Sequence, residues 1–233
     1  MIALTARSQL SLARGVVLSW VGLAAAGFAF EGSALLRGIG SDLAAQVIVL
    51  SSALLLGVPL GALAGSGPRW VDVTLGYLTD WLAAIPVVLL LAFVRPAGVT
   101  ELGGLLLLGV LRSLEVGWVV RSALLRAAVT DTTWAARSLG YMPLKVFLNR
   151  RLPAAAGPAL AHLAFTPAWV FLLDAVSAVA GLGVATSQDS LGALAAGAGA
   201  FAPTALGALC AVLALTWALH RLGQHYGLRL AEK

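Results

Sequence analysis

The chain has 233 residues, of which 60% are hydrophobic and only 11% are charged, and its mean hydropathy is +0.95. A soluble domain carries about 25% charged residues, so this sequence has too few charges to cover a globular surface. Its net charge of +5 comes from Lys and Arg placed between long apolar runs, which argues against a nucleic-acid-binding face. Cys210 is the single cysteine, which excludes a disulfide framework. The composition predicts an all-α integral membrane protein.

Six apolar stretches come close to the roughly 20 residues that a membrane-crossing helix needs. They lie at about residues 15–32, 43–65, 73–94, 102–124, 153–180 and 197–220. The first also resembles a signal peptide, because a basic start precedes a short apolar run and an Ala-rich end. We favour a retained span, since the second stretch follows only about ten residues later.

The Lys and Arg residues of the connections predict the orientation of the chain. With the N-terminus inside, the cytoplasmic segments hold twelve of them and the outer segments only Arg37 and Arg95. Cytoplasmic loops carry the excess of basic residues, so both termini are predicted to be cytoplasmic. The longest outer connection is predicted at about 181–196. The predicted parts are an N-terminal tail with the first helix and a short outer loop (1–41), a core (42–222) and a cytoplasmic tail (223–233).

Four ionisable residues fall inside predicted spans, where charge is costly and indicates a functional role. They are Asp80, Arg112, Glu115 and Asp174. Arg112 and Glu115 are three residues apart and can pair on one helix face; we favour a structural pair, with a place along a translocation path left open. For Asp80, a cap or inter-helix bond is as good an interpretation as a pathway role. His162 is expected to bond a neighbouring helix, and no metal site is expected.

The longest cytoplasmic connection, about residues 126–153, is predicted to form a helix–glycine–helix element. Residues 130–133 are Thr or Asp, all residue types that start helices, and Gly140 can end the helix that follows. Pro143 suits the first turn of a second helix, and Leu152-Pro153 then opens the fifth span. Such an element is either a rigid protrusion that another protein contacts or an amphipathic segment on anionic lipid headgroups.

This connection resembles the EAA loop of ABC importer permeases, whose pattern is roughly E-A-A-x-x-x-G, nine residues, then I-x-L-P. Five residues fall on matching positions without a gap, and Leu139 matches the Leu-Gly common in the dipeptide, oligopeptide and nickel branch. The five are Ala135, Ala136, Gly140, Leu152 and Pro153. Three further regions are similar to that branch in the same order: residues 56–65; a stretch of the third span with Asp80 and Pro86; and residues 181–184, with Arg121 ahead of the loop.

The resemblance implies a type I ABC importer permease fold with a cytoplasmic coupling helix. It implies three kinds of partner beside membrane lipid: a second permease subunit, two ATPase subunits and a solute-binding protein. The residues expected to contact the ATPase are Trp134, Ala135, Ala136, Leu139, Gly140, Leu152 and Pro153. Asp174 falls where the family often has a glutamate, so the resemblance implies a pore-facing position. The implied solute is a peptide, a nickel complex or a related small molecule, carried across a bacterial cytoplasmic membrane.

The chain departs from the family pattern at Trp134, which replaces the glutamate of the motif, and at Arg150, which replaces a late histidine. A degenerate permease that serves as a non-transporting scaffold is therefore an alternative, as is an ABC system with another substrate or direction. The lack of H-E-x-x-H and G-x-S-x-G motifs, and acidic residues that do not cluster, argue against an intramembrane enzyme. A P-loop is also absent, because neither Lys145 nor Lys233 stands in Gly-Lys-Ser/Thr. ATP and Mg are thus expected in the partner ATPase.

Overall fold

The computed structural model describes residues 10–19, 34–94, 97–180, 190–198 and 203–231, and this part of the chain is helical, with no strand. The predicted all-α class is confirmed for these residues. The helices are α1 (Leu10–Ser19), α2 (Ala34–Ser66), α3 (Arg69–Ala83), α4 (Val87–Val94), α5 (Glu101–Ala128), α6 (Asp131–Ser138), α7 (Pro143–Val146), a π-helical turn (Phe147–Arg151), α8 (Leu152–Leu163), α9 (Thr166–Val179), α10 (Leu191–Ala198) and α11 (Pro203–Ala231).

Three helical segments of the described chain are long and apolar enough to cross a membrane: Arg37–Ser66, Glu101–Ala128 and Pro143–Val179. They coincide with the second, fourth and fifth predicted spans. The first predicted span continues from α1 into residues outside the described ranges, and the sixth falls largely on α11, a helix of 29 residues. The number of six spans stays a prediction.

The third predicted span is broken rather than straight. Helices α3 and α4 meet at an angle of 74°, and the break lies at Ala84–Pro86. Pro86 has no N–H to donate, and its ring disfavours helical backbone at the residue before it. The Ile85 N–H therefore bonds to the Leu82 carbonyl at 3.3 Å, in a tighter turn that closes α3.

The core is built on the close parallel packing of α2 against α5, because successive contacts advance in the same direction along both helices. Gly57 and Gly61 face α5 on successive turns, and a Cβ added at Gly57 would lie 2.6 Å from the Ser113 carbonyl oxygen. A Cβ at Gly61 would collide with the carbonyl of Gly117. Helices in a membrane associate through such small residues because lipid supplies no hydrophobic drive between them. Side chains at these positions would push the two backbones apart.

The second half of the chain packs on α5 through α8 and on α2 through α9, with α11 antiparallel to α8. A Cβ at Gly223 of α11 would lie 3.0 Å from the Leu160 carbonyl, and the His220 ring lies 4.9 Å from Phe165. Helix α10 occupies part of the predicted outer connection, and residues 223–231, predicted as a tail, continue α11.

The helical segment Pro143–Val179 has 37 residues and is about 55 Å long at 1.5 Å per residue. The hydrocarbon layer is about 30 Å thick. Part of this segment therefore projects beyond the membrane. We call the end of the bundle where α6 and α7 connect α5 to α8 the loop end.

Candidate functional site

Helix α6 at the loop end begins with two threonines that tie it to the end of α5. The hydroxyls of Thr130 and Thr133 donate to the Ala127 carbonyl at 2.9 and 2.8 Å. Thr133 is buried, at 1% exposure. The predicted start in residues 130–133 is confirmed, since α6 opens at Asp131 with Thr130 as its cap. The threonines fix the direction in which α6 leaves α5.

The end of α6 has the hydrogen bonds of a Schellman cap. The Gly140 N–H donates to the Arg137 carbonyl at 2.9 Å, and the Tyr141 N–H donates to the Ala136 carbonyl at 3.2 Å. Gly140 has φ of +77°, a conformation that side chains with a Cβ rarely adopt. The prediction that Gly140 ends this helix is confirmed.

The chain after the glycine forms one continuous helix into the fifth span. Pro143 occupies the first turn of α7, as predicted, and a π-helical turn joins α7 to α8. Within that turn, the Arg151 guanidinium donates to the Gly65 carbonyl at 2.9 Å and to the Leu124 carbonyl at 3.3 Å. Arg151 thereby holds the ends of α2 and α5 together. Leu152 and Pro153 lie inside the continuous helix and are partly buried.

The surface of the loop end is apolar and exposed. Trp134 is 57% exposed and Leu139 76%, and Met142 and Leu144 are similarly open; we call these four side chains the loop patch. A neighbouring groove of about 470 Å³ includes Ala136 among its lining residues. Ala135 and Gly140 are also exposed. Exposed apolar patches of this kind mark interaction sites, and the caps described above make this one rigid.

A polar cluster lies deep in the bundle, between α5, α8 and α9. Arg112 forms the predicted ion pair with Glu115, and its Nε donates to Thr166 Oγ1 at 3.2 Å. Its Nη2 donates to the His162 carbonyl at 3.2 Å, and its guanidinium carbon lies 5.6 Å from the Trp169 ring centroid. His162 Nε2 lies 3.3 Å from Glu115 Oε2. His162 of α8 thus contacts a neighbouring helix, as predicted.

A comparison with protein families matches residues 57–227 to the family described as binding-protein-dependent transport system inner membrane component. The match covers about three quarters of the chain, including α5, the loop end and the polar cluster. The chain belongs to this family. It is therefore a permease component of an ABC transport system, a membrane protein that works with an ATPase and a solute-binding protein. A search of the curated proteins finds no significant match.

Two carboxylates of the permease pin α10 to the bundle. Asp174 on α9 is only 4% exposed and accepts a bond from the Ser190 hydroxyl. Asp42 on α2 is equally buried and accepts from the Leu191 N–H at 3.3 Å. Asp174 is thus enclosed within this chain, in contrast to the expected pore-facing position. Asp42 is not among the predicted site residues, because it lies just before the predicted second span and no nearby motif singles it out.

A second ion pair, between Asp72 of α3 and Arg121 of α5, lies near the loop end. Arg121 Nη2 donates to Asp72 Oδ2 at 2.6 Å, and Nε donates to the other carboxylate oxygen. The guanidinium also stacks over Trp118, 4.6 Å from the ring centroid. The two residues are 49 positions apart, so a single sequence carries no signal that they pair.

The remaining predicted site residue, Asp80, stands apart from these contacts. It lies one turn before the break between α3 and α4, and its side chain is exposed. Within the described part of the permease it has no side-chain bond. No group of three His, Cys, Asp or Glu residues among the described residues could hold a metal.

Proposed function

We propose that this permease is one of two membrane subunits of an ATP-driven importer for peptides, nickel complexes or a related small solute. We further propose that α6 is the coupling helix, which docks on a cytoplasmic ATPase. One observation carries the second proposal: the loop patch is apolar and exposed, and it stands on a capped helix–glycine–helix element. The similarity of residues 42–222 to dipeptide, oligopeptide and nickel importers supports the solute class.

The contacts of the loop end explain how motion of an ATPase would reach the spans. Thr130 and Thr133 join α6 to α5, and α7 continues into α8. Arg151 adds the end of α2 through the Gly65 carbonyl. A displacement of α6 therefore moves three long helices together. In the proposed complex, two ATPases bind ATP and Mg, and their closure rocks both permeases between inward and outward access.

Trp134 sets the chemistry of the proposed contact. Its indole is 57% exposed and lies 5.9 Å from the Arg137 guanidinium carbon. Burial of a large aromatic side chain in a pocket is a strong source of binding energy. Trp134 would fill the ATPase groove by apolar burial, where the glutamate of the family pattern anchors by charge.

The replacement of that glutamate also favours a second candidate function, a permease-derived scaffold that does not transport. The two functions differ in one measurable property. An importer brings down an ATPase subunit and couples ATP hydrolysis to its solute, whereas a scaffold does neither.

Two glycines give a matched test of the coupling helix. Gly140 and Gly98 have φ of +77° and +71°, and each has open space where a Cβ would be. Gly140 lies in the loop end, whereas Gly98 precedes α5 at the opposite end of the bundle. We expect Gly140→Trp to abolish co-purification of the partner ATPase. Gly98→Trp, with similar backbone strain, should leave co-purification intact. Normal ATPase binding by Gly140→Trp would refute the coupling role of α6.

A further inference from the structure

Two carboxylates of this permease lie at mid-depth in the bundle. Glu115 is near the middle of α5, about 20 Å from either end at 1.5 Å per residue. Successive contacts between α3 and α5 move up α3 and down α5. Asp72 pairs with Arg121, and a Cβ at Gly76 would lie 3.9 Å from the Trp118 ring. One further turn along α3 brings Asp80 to the level of Glu115.

Both carboxylates lie on one open side of the α3–α5 seam. Asp80 follows Asp72 and Gly76 in four-residue steps, the spacing that keeps residues on one helix face. On α5, Glu115 is three residues from Trp118, which contacts that face of α3. The Glu115 side chain is 47% exposed, whereas Arg112 behind it is 5% exposed. The open side therefore presents carboxylate rather than guanidinium.

Hydrocarbon is a poor environment for this surface. An ionised side chain at the bilayer centre is costly, and such residues face a bundle interior or a water-filled cavity. The break at Ala84–Pro86 lies directly beyond Asp80, and non-helical backbone at membrane depth is tolerated only in protein or beside such a cavity. Charge exposure and backbone geometry thus independently exclude lipid from the same side of the permease.

We infer that Asp80 and Glu115 line the translocation path and select solutes that carry a cationic group, such as an ammonium; this inference rests on the proposed importer function. The charge of Arg112 is held within the chain by Glu115, Thr166 and the His162 carbonyl. Because Glu115 and Arg112 balance each other and Asp80 has no counter-charge in the described residues, the net negative charge of the lining comes from Asp80. A cation in the path gains attraction from it, and an anion is repelled.

Charged thiol reagents test this without knowledge of the solute. Leu111, one turn from Glu115, becomes the reporter Leu111→Cys in a Cys210→Ala background, since Cys210 is exposed. The assembled complex in membrane vesicles is treated with cationic MTSET or anionic MTSES. For each cysteine we compare the reaction rate with MTSET to the rate with MTSES. We expect this ratio at Leu111→Cys to be about tenfold higher than for free cysteine, because of the carboxylates. Asp80→Asn should return the ratio to that of free cysteine, and adding Glu115→Gln should lower it further, because Arg112 then loses its counter-charge.

The control reporter is Leu55→Cys on α2, a 74% exposed position surrounded by apolar residues. It should react with neither reagent, because thiolate does not form in hydrocarbon.

If Leu111→Cys is equally unreactive, the face is not aqueous and the inference fails. If it reacts with a ratio that both substitutions leave unchanged, cation selection fails. Asp80→Asn alone is informative should Glu115→Gln fold poorly, because Asp80 makes no side-chain bond to any described residue. If the unsubstituted permease does not co-purify with an ATPase, the importer proposal itself is refuted.

Discussion

The loop end and the mid-bundle polar cluster are both rigid, but they are built from contacts of different range. At the loop end, the bonds that shape α6 join residues no more than six apart, such as Thr133 and Ala127. In the bundle, Arg112 bonds Thr166 across 54 positions, and Asp42 bonds Leu191 across 149. Helix α6 therefore takes its shape from local capping chemistry, whereas the long-range bonds of the cluster exist only after the helices have packed.

This difference predicts which substitutions disturb only nearby residues and which also disturb distant helices. A change in the α2–α5 seam should disorder the polar cluster as well, since α5 supplies Arg112 and Glu115. A change at the start of α6 should leave the spans intact. Three sets of substitutions test this contrast.

The largest effect is expected at Gly61, where a methyl group meets the Gly117 backbone carbonyl. Because backbone cannot rotate away, Gly61→Ala should lower stability by about 3 kcal/mol or prevent folding altogether. Gly76→Ala is the matched control, since its new Cβ would lie 3.9 Å from the Trp118 ring, an ordinary contact. Thermal unfolding of the detergent-purified permease measures both. Equal unfolding temperatures for the two variants would contradict close packing of α2 on α5.

Sequence could predict the features that depend on neighbouring residues. Apolar run length placed the second, fourth and fifth spans, and the threonines and Gly140 placed α6. The three-residue spacing of Arg112 and Glu115 predicted their ion pair. In each case the signal comes from residues close together in the chain, so the local sequence alone is enough.

Sequence could not predict contacts that arise from the packing of distant helices. The Asp72–Arg121 pair depends on the depth at which α3 lies along α5, which no local pattern states. Residues 73–94 were predicted as one span, and Pro86 within it did not lead us to predict the break or its 74° angle. Ser190 is the type of residue that starts helices, and its Oγ accepts from the Ala193 N–H at 3.0 Å. The surrounding polar residues concealed this start of α10.

An intermediate effect is expected from Arg112, which joins three helices. Arg112→Gln removes bonds to Glu115, Thr166 and the His162 carbonyl, and should cost about 2 kcal/mol. Glu115→Gln should cost less, about 1 kcal/mol, because a neutral amide oxygen still accepts from Arg112. Arg112→Gln is expected to cost more stability than Glu115→Gln, because Arg112 is buried whereas Glu115 is half-exposed. Unfolding temperatures in detergent test it, and a larger loss for Glu115→Gln would show that the carboxylate is the main structural element of the cluster.

The smallest and most local effect is expected at the start of α6. Thr133→Val keeps the shape of a buried side chain but removes its bond to the Ala127 carbonyl, a loss of about 1 kcal/mol. Thr132→Val is the matched control, because Thr132 is exposed and makes no bond to α5. We expect Thr133→Val to increase hydrogen exchange in residues 129–139 while exchange in α2 and α5 is unchanged. Such confinement would separate the anchoring of α6 from the packing of the spans. If exchange rose throughout α5 instead, the loop end would be part of the same cooperative unit as the polar cluster.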